Sequence, residues 1–344
     1  MPAEWAPHEL VWLAFPSAAN LWQENLKPAQ DEFVRFCQEV ADLDASGKPR
    51  GERMKVLVPT TADGAEAEKR LKGLPVSIEL MPFGDIWLRD TSSLFFTNAK
   101  GERAYARTAF NGWGGKYVLD HDDDLAIRIG KASGFQGFET GWVLEGGSVE
   151  LDGEGTCLTS RQCLLNENRN PGKSEAEIEQ FLKDWLGCEK VLWLNDGLLN
   201  DHTDGHIDTF ARYVAPGVIA AMTSDDPKDP NYQVYKDTIS DLEKMTDAKG
   251  RKIKVMKVPS PGAVLNEDGD VMPASYLNFY IANTTVVVPT YGSAQDEAAV
   301  KAVAACFPKH RTVGCSALAI LSGGGAFHCM SQNMPTDSVV GGLK

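Results

Sequence analysis

Near the C-terminus, three consecutive glycines lead into a histidine and a cysteine, in the segment 323–329 with the sequence GGGAFHC. Cys329 in this setting is a candidate nucleophile. Glycine lets a ligand approach the main chain, and a nearby positive charge or local peptide dipoles can favour the reactive thiolate. A tight turn beside a buried structural thiol would explain the same residues, so other segments must distinguish the two interpretations.

A second group of reactive side chains lies in the segment 85–91, DIWLRDT, directly after a predicted strand. An aspartate and a tryptophan at a strand end can bind a flat cation through carboxylate hydrogen bonds and contact with the ring face. Asp85, Trp87 and Asp90 are therefore candidates for substrate binding. The alternative is a solvated ion pair between Arg89 and Asp90.

Two glycine-rich segments carry further candidates. Glu145 precedes two glycines, where the backbone can turn sharply, although a simple turn also explains them. The segment 111–116, NGWGGK, could be a rim that lets Trp113 or Lys116 approach a ligand, and we favour a structural role for it.

The densest polar cluster is the segment 201–210, DHTDGHIDTF. If a strand begins at Gly205, then His206, Asp208 and Phe210 lie on one face, because side chains of a strand alternate with period two. A metallohydrolase site is the competing interpretation, because histidine and carboxylate ligands suit zinc or iron. Its ligands would be His202, Asp204, His206 and Asp208, and it would leave Cys329 unexplained.

A thiol, an imidazole and several carboxylates together indicate attack by sulfur with proton transfer through histidine. The surplus of carboxylates favours a substrate that is planar and positive. A guanidinium fits this description, because it offers five N–H donors in a fixed fork that two carboxylates can grip.

Strands and helices alternate along the chain. The strand, turn and helix at 56–72 resemble those at 286–307, and a second apolar strand follows each, at 76–81 and 313–321. Further strands are predicted at 190–194 and 253–258, and further helices at 174–186 and 231–245. Spaced units of this kind suggest a repeat architecture closed on itself, with an ordinary open α/β sheet as the alternative.

Composition limits the function classes. The 344 residues carry 48 acidic and 34 basic side chains, for a net charge of −14, which disfavours nucleic acid and suits a cationic small substrate. We find neither an export signal nor an apolar run of the roughly 20 residues that span a bilayer, so we expect a cytoplasmic protein without membrane contact. Seven cysteines without paired spacing indicate reduced thiols.

Five motifs taken together resemble the agmatine deiminases and the related bacterial peptidylarginine deiminases. They are WLRD at 87–90, EGG at 145–147, DGHID at 204–208, NFYIAN at 278–283 and GGGAFHC at 323–329. The opening MPAEW is also similar to an agmatine deiminase start. The resemblance runs in the same order from the first residues to about Pro335.

This resemblance implies a five-bladed, pseudo-symmetric α/β propeller, the pentein fold of the guanidine-modifying superfamily, formed by one domain over residues 1–344. It implies a covalent mechanism without metal or organic cofactor, a small cationic guanidine as substrate, and a possible homodimer.

The resemblance also assigns roles to residues. Cys329 would attack the guanidinium carbon, and His206 would protonate departing ammonia and then activate water. Asp90 and Asp208 would hold the guanidinium nitrogens, and Glu145 would support His206 or the substrate. The expected substrate-binding residues are Trp87, Asp85, Trp113, Asp204, Asn278 and Gly325.

Three departures from the agmatine deiminase pattern bear on the substrate. Ser92 and Ser93 stand where glycine and proline are usual, Ala326 and Phe327 replace asparagine and isoleucine, and Asn111 stands in a segment that usually carries alanine. Agmatine remains the preferred substrate, because a peptidylarginine enzyme acting outside the cell would need an export signal. Free arginine and peptidylarginine remain alternatives.

Overall fold

The computed structural model describes residues 1–98 and 100–336. Within this part of the chain, sixteen strands form five sheets. The strands are β1 His8–Ala14, β2 Arg53–Val58, β3 Val76–Leu80, β4 Leu94–Thr97, β5 Arg103–Ala109, β6 Gln136–Val143, β7 Val149–Leu151, β8 Thr156–Ser160, β9 Lys190–Leu194, β10 Ala211–Ala215, β11 Val218–Thr223, β12 Lys254–Pro259, β13 Tyr280–Ile281, β14 Thr285–Thr290, β15 Arg311–Ser316 and β16 Ser331–Pro335.

The described helices include six of ten or more residues and five of four residues. They are α1 Ala19–Trp22, α2 Leu26–Ala41, α3 Thr61–Arg70, α4 Leu88–Thr91, α5 Gly112–Gly115, α6 Asp122–Ser133, α7 Arg161–Leu164, α8 Glu175–Leu186, α9 Tyr232–Leu242, α10 Asp296–Cys306 and α11 Leu318–Leu321, with 3-10 turns at Gln23–Asn25, Gly146–Ser148 and Ile207–Thr209.

One unit repeats around the molecule. In each sheet two strands pair antiparallel, and the second of them pairs parallel with a third strand. A long helix connects the two parallel strands, because a parallel pair needs a crossover. These helices are α2, α6, α8, α9 and α10. The repeat confirms the predicted five-bladed α/β propeller.

The ring closes between the two ends of the described chain. In the sheet of order β16-β1-β2-β3, β16 pairs antiparallel with β1, and Leu13 lies opposite Ser331. This pairing removes a free sheet edge that would otherwise invite association. One domain over 1–344 stays a prediction, and residues 99 and 337–344 of that range lie outside the described part.

The predicted strands and helices agree with the structure to within about three residues, except in the segments 205–210 and 313–321. The apolar segment 313–321 is not one strand, because β15 ends at Ser316 and α11 follows. Glu32 on α2 explains the break. Its carboxylate accepts hydrogen bonds from Ser316 Oγ, at 2.5 Å, and from the Ile320 N–H, at 2.9 Å, which satisfies an amide that would need a strand partner otherwise.

The long helices pack apolar faces onto the sheets. On α2, Phe33, Phe36 and Val40 are fully buried. The ring centroids of Phe36 and Phe327 lie 5.0 Å apart, beside the glycine-rich segment. On α8, Ser174 and Glu177 form a capping box that fixes the helix start. No described helix is both long and apolar enough to cross a membrane.

A buried ion network lies where the sheets converge. The Glu4 carboxylate accepts hydrogen bonds from Arg89 and from Arg212, each at 2.6 Å, and contacts His328. Arg212 also forms an ion pair with the Glu150 carboxylate and donates hydrogen bonds to two main-chain carbonyls just before β13. These side chains come from different sheets, so the network joins the N-terminal segment to several blades.

Replacing Arg212 with methionine should lower the free energy of unfolding by about 3–5 kcal/mol, because it leaves buried carboxyl groups without their cation. Arg53→Met is the matched control. Arg53 is mostly exposed and pairs with Glu9 at 3.3 Å, so its loss should cost about 0–1 kcal/mol. Urea unfolding measures both, and equal losses would contradict the importance of the buried network.

Candidate active site

Each of the five sheets contributes a polar segment to one place. The contributing residues directly precede the first strand of each sheet in the repeat: Asp90 before β4, Glu145 before β7, His206 and Asp208 before β10, Asn278 before β13 and Cys329 before β16. Asp90 and Cys329 line a cavity of about 220 Å³, Asp208 lies 3.6 Å from the Cys329 thiol, and His206 lies 3.8 Å from Asp90. The repeat therefore assembles this centre from distant parts of the chain.

Asn278 fixes the turn that carries the candidate nucleophile. Its Oδ1 accepts hydrogen bonds from the main-chain N–H groups of Ala326, His328 and Cys329, at 3.1, 3.1 and 3.2 Å. Its Nδ2 donates to Cys329 Sγ, at 3.0 Å, and to Asp208 Oδ2, at 3.3 Å. Asn278 thus lies behind the thiol and positions it.

Asp85 orients two indoles in the cavity wall. Its Oδ1 accepts from Trp22 Nε1 at 3.0 Å, and its Oδ2 accepts from Trp87 Nε1 at 2.9 Å. Trp87 packs against the glycine segment. A Cβ on Gly325 would lie 2.8 Å from the Trp87 ring, so only glycine fits there. Asp85 acts on the cavity through these two rings.

Asp90 is buried and is held by two donors. The N–H of Gly147 donates to Oδ1, and Trp113 Nε1 donates to Oδ2, each at 2.9 Å. Arg89 instead turns away to Glu4, so the ion pair considered between Arg89 and Asp90 is not present.

The segment 111–116 brings an aromatic ring to the site. Trp113 has a φ of 52° and lines the cavity, where its indole holds Asp90. Lys116 points elsewhere and donates to Asp204 at 2.5 Å. Of this segment, Trp113 thus lies at the cavity, and its role in substrate binding stays a prediction.

His206 and Asp208 do not lie on a strand. A 3-10 turn, Ile207–Thr209, follows His206, and β10 begins only at Ala211. The predicted alternation of side chains is therefore wrong, but the two side chains still converge. A Cβ on Gly147 would lie 2.6 Å from His206 Nδ1 and 3.1 Å from Asp208 Oδ2, so this glycine allows the close approach.

Two residues that the sequence did not single out lie beside Glu145. Arg169 is buried, and its Nε donates to Glu145 Oε1 at 2.5 Å. Cys163 contributes a thiol, and the polar atoms of Glu145, Cys163 and His206 lie within 4.8 Å of one another. No motif marks either residue, because each acquires its partner only through the packing of blades.

The four residues considered as metal ligands do not form one set. Asp204 is engaged by Lys116, by Arg169 at 2.8 Å and by Asn168 at 2.9 Å, and it lies outside the cavity wall. His202 lies at the cavity mouth, where its Nδ1 contacts the Tyr117 hydroxyl at 2.7 Å. Among the described residues, the predicted metallohydrolase site is therefore not assembled.

A family model described as Porphyromonas-type peptidyl-arginine deiminase matches residues 1–335. The chain belongs to this family.

Named relatives agree with this assignment. An agmatine deiminase of Ectopseudomonas mendocina is 36% identical, over 97% of this chain and 95% of its own length. The structure of the Enterococcus faecalis agmatine deiminase superposes with a TM-score of 0.90 and 35% identity, covering 98% of this chain and 96% of that one. A C. jejuni agmatine deiminase with substrate bound gives a TM-score of 0.86 and 28% identity, over 97% and 95% of the two chains.

The site of this deiminase family member contains a buried imidazolium. Burial disfavours charge on His206, but the carboxylate of Asp90, the Cys163 thiol and Glu145 together hold the His206 pKa well above its usual value. His206 is therefore protonated at neutral pH. Both of its ring nitrogens, as well as Asp208 Oδ1 and Glu145 Oε2, are buried without a hydrogen-bond partner among the described residues.

The carboxyl groups of this deiminase site differ in their environment. Burial raises the pKa of Asp90, and the neighbouring Asp208 raises it further. Burial likewise raises the pKa of Glu145, against the effect of Arg169. In Asp208 the raising effect of burial is outweighed by the hydrogen bond and charge of His328, so its pKa is lowered. Asp208 is thus the carboxylate that stays ionised most readily.

The thiol of Cys329 is protonated in the free protein. Burial, followed by the negative charges of Asp208 and Asp90, raises its pKa well above the usual value. Attack by sulfur therefore requires a cation that offsets the two carboxylates.

The rate at which iodoacetamide alkylates Cys329 should keep rising up to at least about pH 9, because the reactive thiolate forms only at high pH. Mass analysis of the peptide that contains Cys329 measures this rate. A free cysteine peptide in the same series should level off near its ordinary pKa of about 8.5. A plateau for Cys329 below pH 8 would contradict the raised pKa.

Proposed function

We propose that the protein hydrolyses agmatine to N-carbamoylputrescine and ammonia through a covalent intermediate on Cys329. The observation that carries this proposal is a cavity lined by the thiol of Cys329 and the carboxylate of Asp90, with Asp208 3.6 Å from the thiol and His206 3.8 Å from Asp90. The agmatine deiminase names of the relatives support the choice of substrate.

Asp90 and Asp208 would bind the guanidinium. Asp208 Oδ2 is already engaged by His328, at 2.6 Å, but its Oδ1 has no protein donor among the described residues and is free to accept a substrate N–H. The rings of Trp87 and Trp113 line the same cavity and can contact the flat face and the aliphatic chain. The substrate thus supplies the positive charge that the site lacks.

The bound cation would also activate the nucleophile. Its charge offsets Asp90 and Asp208, so Cys329 loses its proton to solvent and becomes a thiolate. Sulfur then attacks the guanidinium carbon, a C–S bond forms, and the C=N electron pair moves onto nitrogen to give a tetrahedral intermediate.

His206 would transfer the protons. As an imidazolium it protonates the departing nitrogen, the C–N bond breaks, and ammonia leaves behind an amidino-thioether. Neutral His206 next takes a proton from water, whose oxygen attacks the same carbon. The C–S bond then breaks, and the thiolate and the urea product are released. Glu145, held by Arg169, would stabilise the charged form of His206.

The remaining predicted residues would position other side chains of the site or pack against them. Asp85 and Asn278 would position the tryptophans and the thiol, and Gly325 would provide the close packing against Trp87. Asp204 would hold Lys116 and Arg169 in place rather than bind substrate directly.

We further propose that the protein acts in the cytoplasm without metal or organic cofactor, on a small guanidine rather than on nucleic acid or a membrane. Its seven unpaired cysteines and its net charge of −14 support this proposal. A homodimer stays a prediction from the family resemblance.

Cys329→Ala should abolish ammonia release from agmatine while leaving the fold intact, because no other thiol can attack from the same position. Purified protein is assayed with agmatine, arginine and a blocked arginine peptide. Cys315→Ala, which removes a buried thiol from β15, is the matched control and should retain activity. Unchanged turnover in Cys329→Ala would refute the covalent mechanism.

Agmatine should be preferred over arginine by about 100-fold or more in kcat/KM. The cavity wall includes no arginine or lysine among the described residues, so the α-carboxylate of arginine would be desolvated without a cationic partner. Steady-state ammonia release with both substrates measures the ratio. Arginine turnover within about tenfold of agmatine would contradict this basis for specificity.

A further inference from the structure

His328, the neighbour of the nucleophile, is clamped between two carboxylates. Its Nδ1 lies 2.6 Å from Asp208 Oδ2, and its Nε2 lies 2.8 and 3.0 Å from the two oxygens of Glu4. The His328 side chain is 1% exposed. Asp208 in turn contacts Cys329 Sγ at 3.6 Å. A continuous chain of contacts therefore runs from Glu4 to the thiol.

The geometry defines the proton content of His328. A carboxylate offers only lone pairs, so each ring nitrogen that faces one must carry a hydrogen. His328 has such an acceptor on both sides, so both of its ring nitrogens serve as hydrogen-bond donors. Charge-assisted hydrogen bonds of this kind are short and strong in a buried setting.

Glu4 is fixed independently of His328. Arg89 donates to its Oε1 and Arg212 to its Oε2, so the positions of both oxygens are fixed by hydrogen bonds that do not involve His328. Burial raises the Glu4 pKa, but Arg89, His328 and Arg212 outweigh it and hold the pKa well below its usual value. Glu4 is thus a permanent anion that orients the His328 ring.

We propose that His328 is a positioning residue for guanidinium binding, anchored by Glu4: it holds Asp208 Oδ2 and so presents Asp208 Oδ1 to the substrate. This inference rests on the proposed function, because it assumes a planar cation in the cavity. Without the His328 ring, Asp208 Oδ2 would lose this hydrogen-bond donor beside Asp90 and the thiol, and the proximity of like charges would favour protonation of Asp208.

The pH dependence of cation binding is set by the charged and titratable groups around Asp208 and His328. Those near Asp208 or His328 are Glu4, Asp90, Glu150, Asp201, His206, Arg212 and Cys329. A cation binds only while Asp208 is ionised, so binding falls as pH falls through the Asp208 pKa. Removing His328 should raise the pH at which cation binding is half lost, the acid limb of binding, by about 1 unit or more.

The test compares two reagents that alkylate Cys329. Chloroacetamidine is a planar amidinium cation that needs the carboxylates, whereas iodoacetamide is neutral. The ratio of their inactivation rates measures cation binding without requiring any particular substrate. It is measured across pH for the wild-type chain, His328→Gln and Glu4→Gln.

We expect both variants to lose about tenfold or more of the preference for the cation at neutral pH, because an oriented charge-assisted contact is lost. The acid limb of that preference should move upward in His328→Gln. His8→Gln is the matched control. His8 is another buried histidine, 3.2 Å from the Glu52 carboxylate, and lies in β1 away from the cavity.

Two outcomes would overturn the inference. In one, His328→Gln keeps the wild-type preference and pH limb; in the other, His8→Gln shows the same shift, which would indicate a general effect on packing. Failure of the proposed function gives a different pattern. A wild-type protein that prefers chloroacetamidine but releases no ammonia from agmatine would refute the substrate and leave the role of His328 standing.

Discussion

The burial of several carboxylates around one thiol is the constraint on which this structure depends. Like charges in a water-poor site repel each other and raise one another's pKa unless each is compensated. Glu145 is paired with Arg169 and Asp208 with His328, whereas Asp90 accepts from an indole and a main-chain N–H and faces the His206 ring at 3.8 Å. Burial, Asp208 and Asp90 nevertheless hold the pKa of the Cys329 thiol well above its usual value, so a cation bound beside these carboxyl groups would favour the thiolate.

The propeller solves the problem of bringing these groups together. Residues separated by more than a hundred positions reach one cavity because each occupies the same place in the repeat, just before the first strand of its sheet. Rigid neighbours complete the arrangement: Asn278 fixes the turn that holds Cys329, and Gly147 allows His206 and Asp208 to approach Asp90. The geometry of the site is thus set by segments that the surrounding sheets hold in place.

Much of the fold was predictable from the sequence, because alternating strands and helices recur with clear apolar patterns. The prediction of one strand over 313–321 was wrong, because an apolar run fits a strand and a helical turn equally well. Only the contacts of Glu32 decide between the two. The predicted strand that begins at Gly205 was wrong for a related reason, since glycine permits a turn as readily as a strand. Cys329 and its carboxylate partners were found by residue type, but Glu4, Arg169 and Arg212 were not. Their importance arises from partners in distant blades, and no local pattern encodes those partners.

The closing contact between β1 and β16 places the assembly of the site late in biosynthesis. Cys329 lies two residues before β16, and β16 can pair with β1 only after the four sheets that lie between them in sequence have been synthesised. Contacts so distant in sequence form slowly, since the entropy of loop closure opposes them. The nascent chain therefore carries an exposed β1 edge and no functional centre until its last blade is complete. Catalytic competence and ring closure are consequently one event.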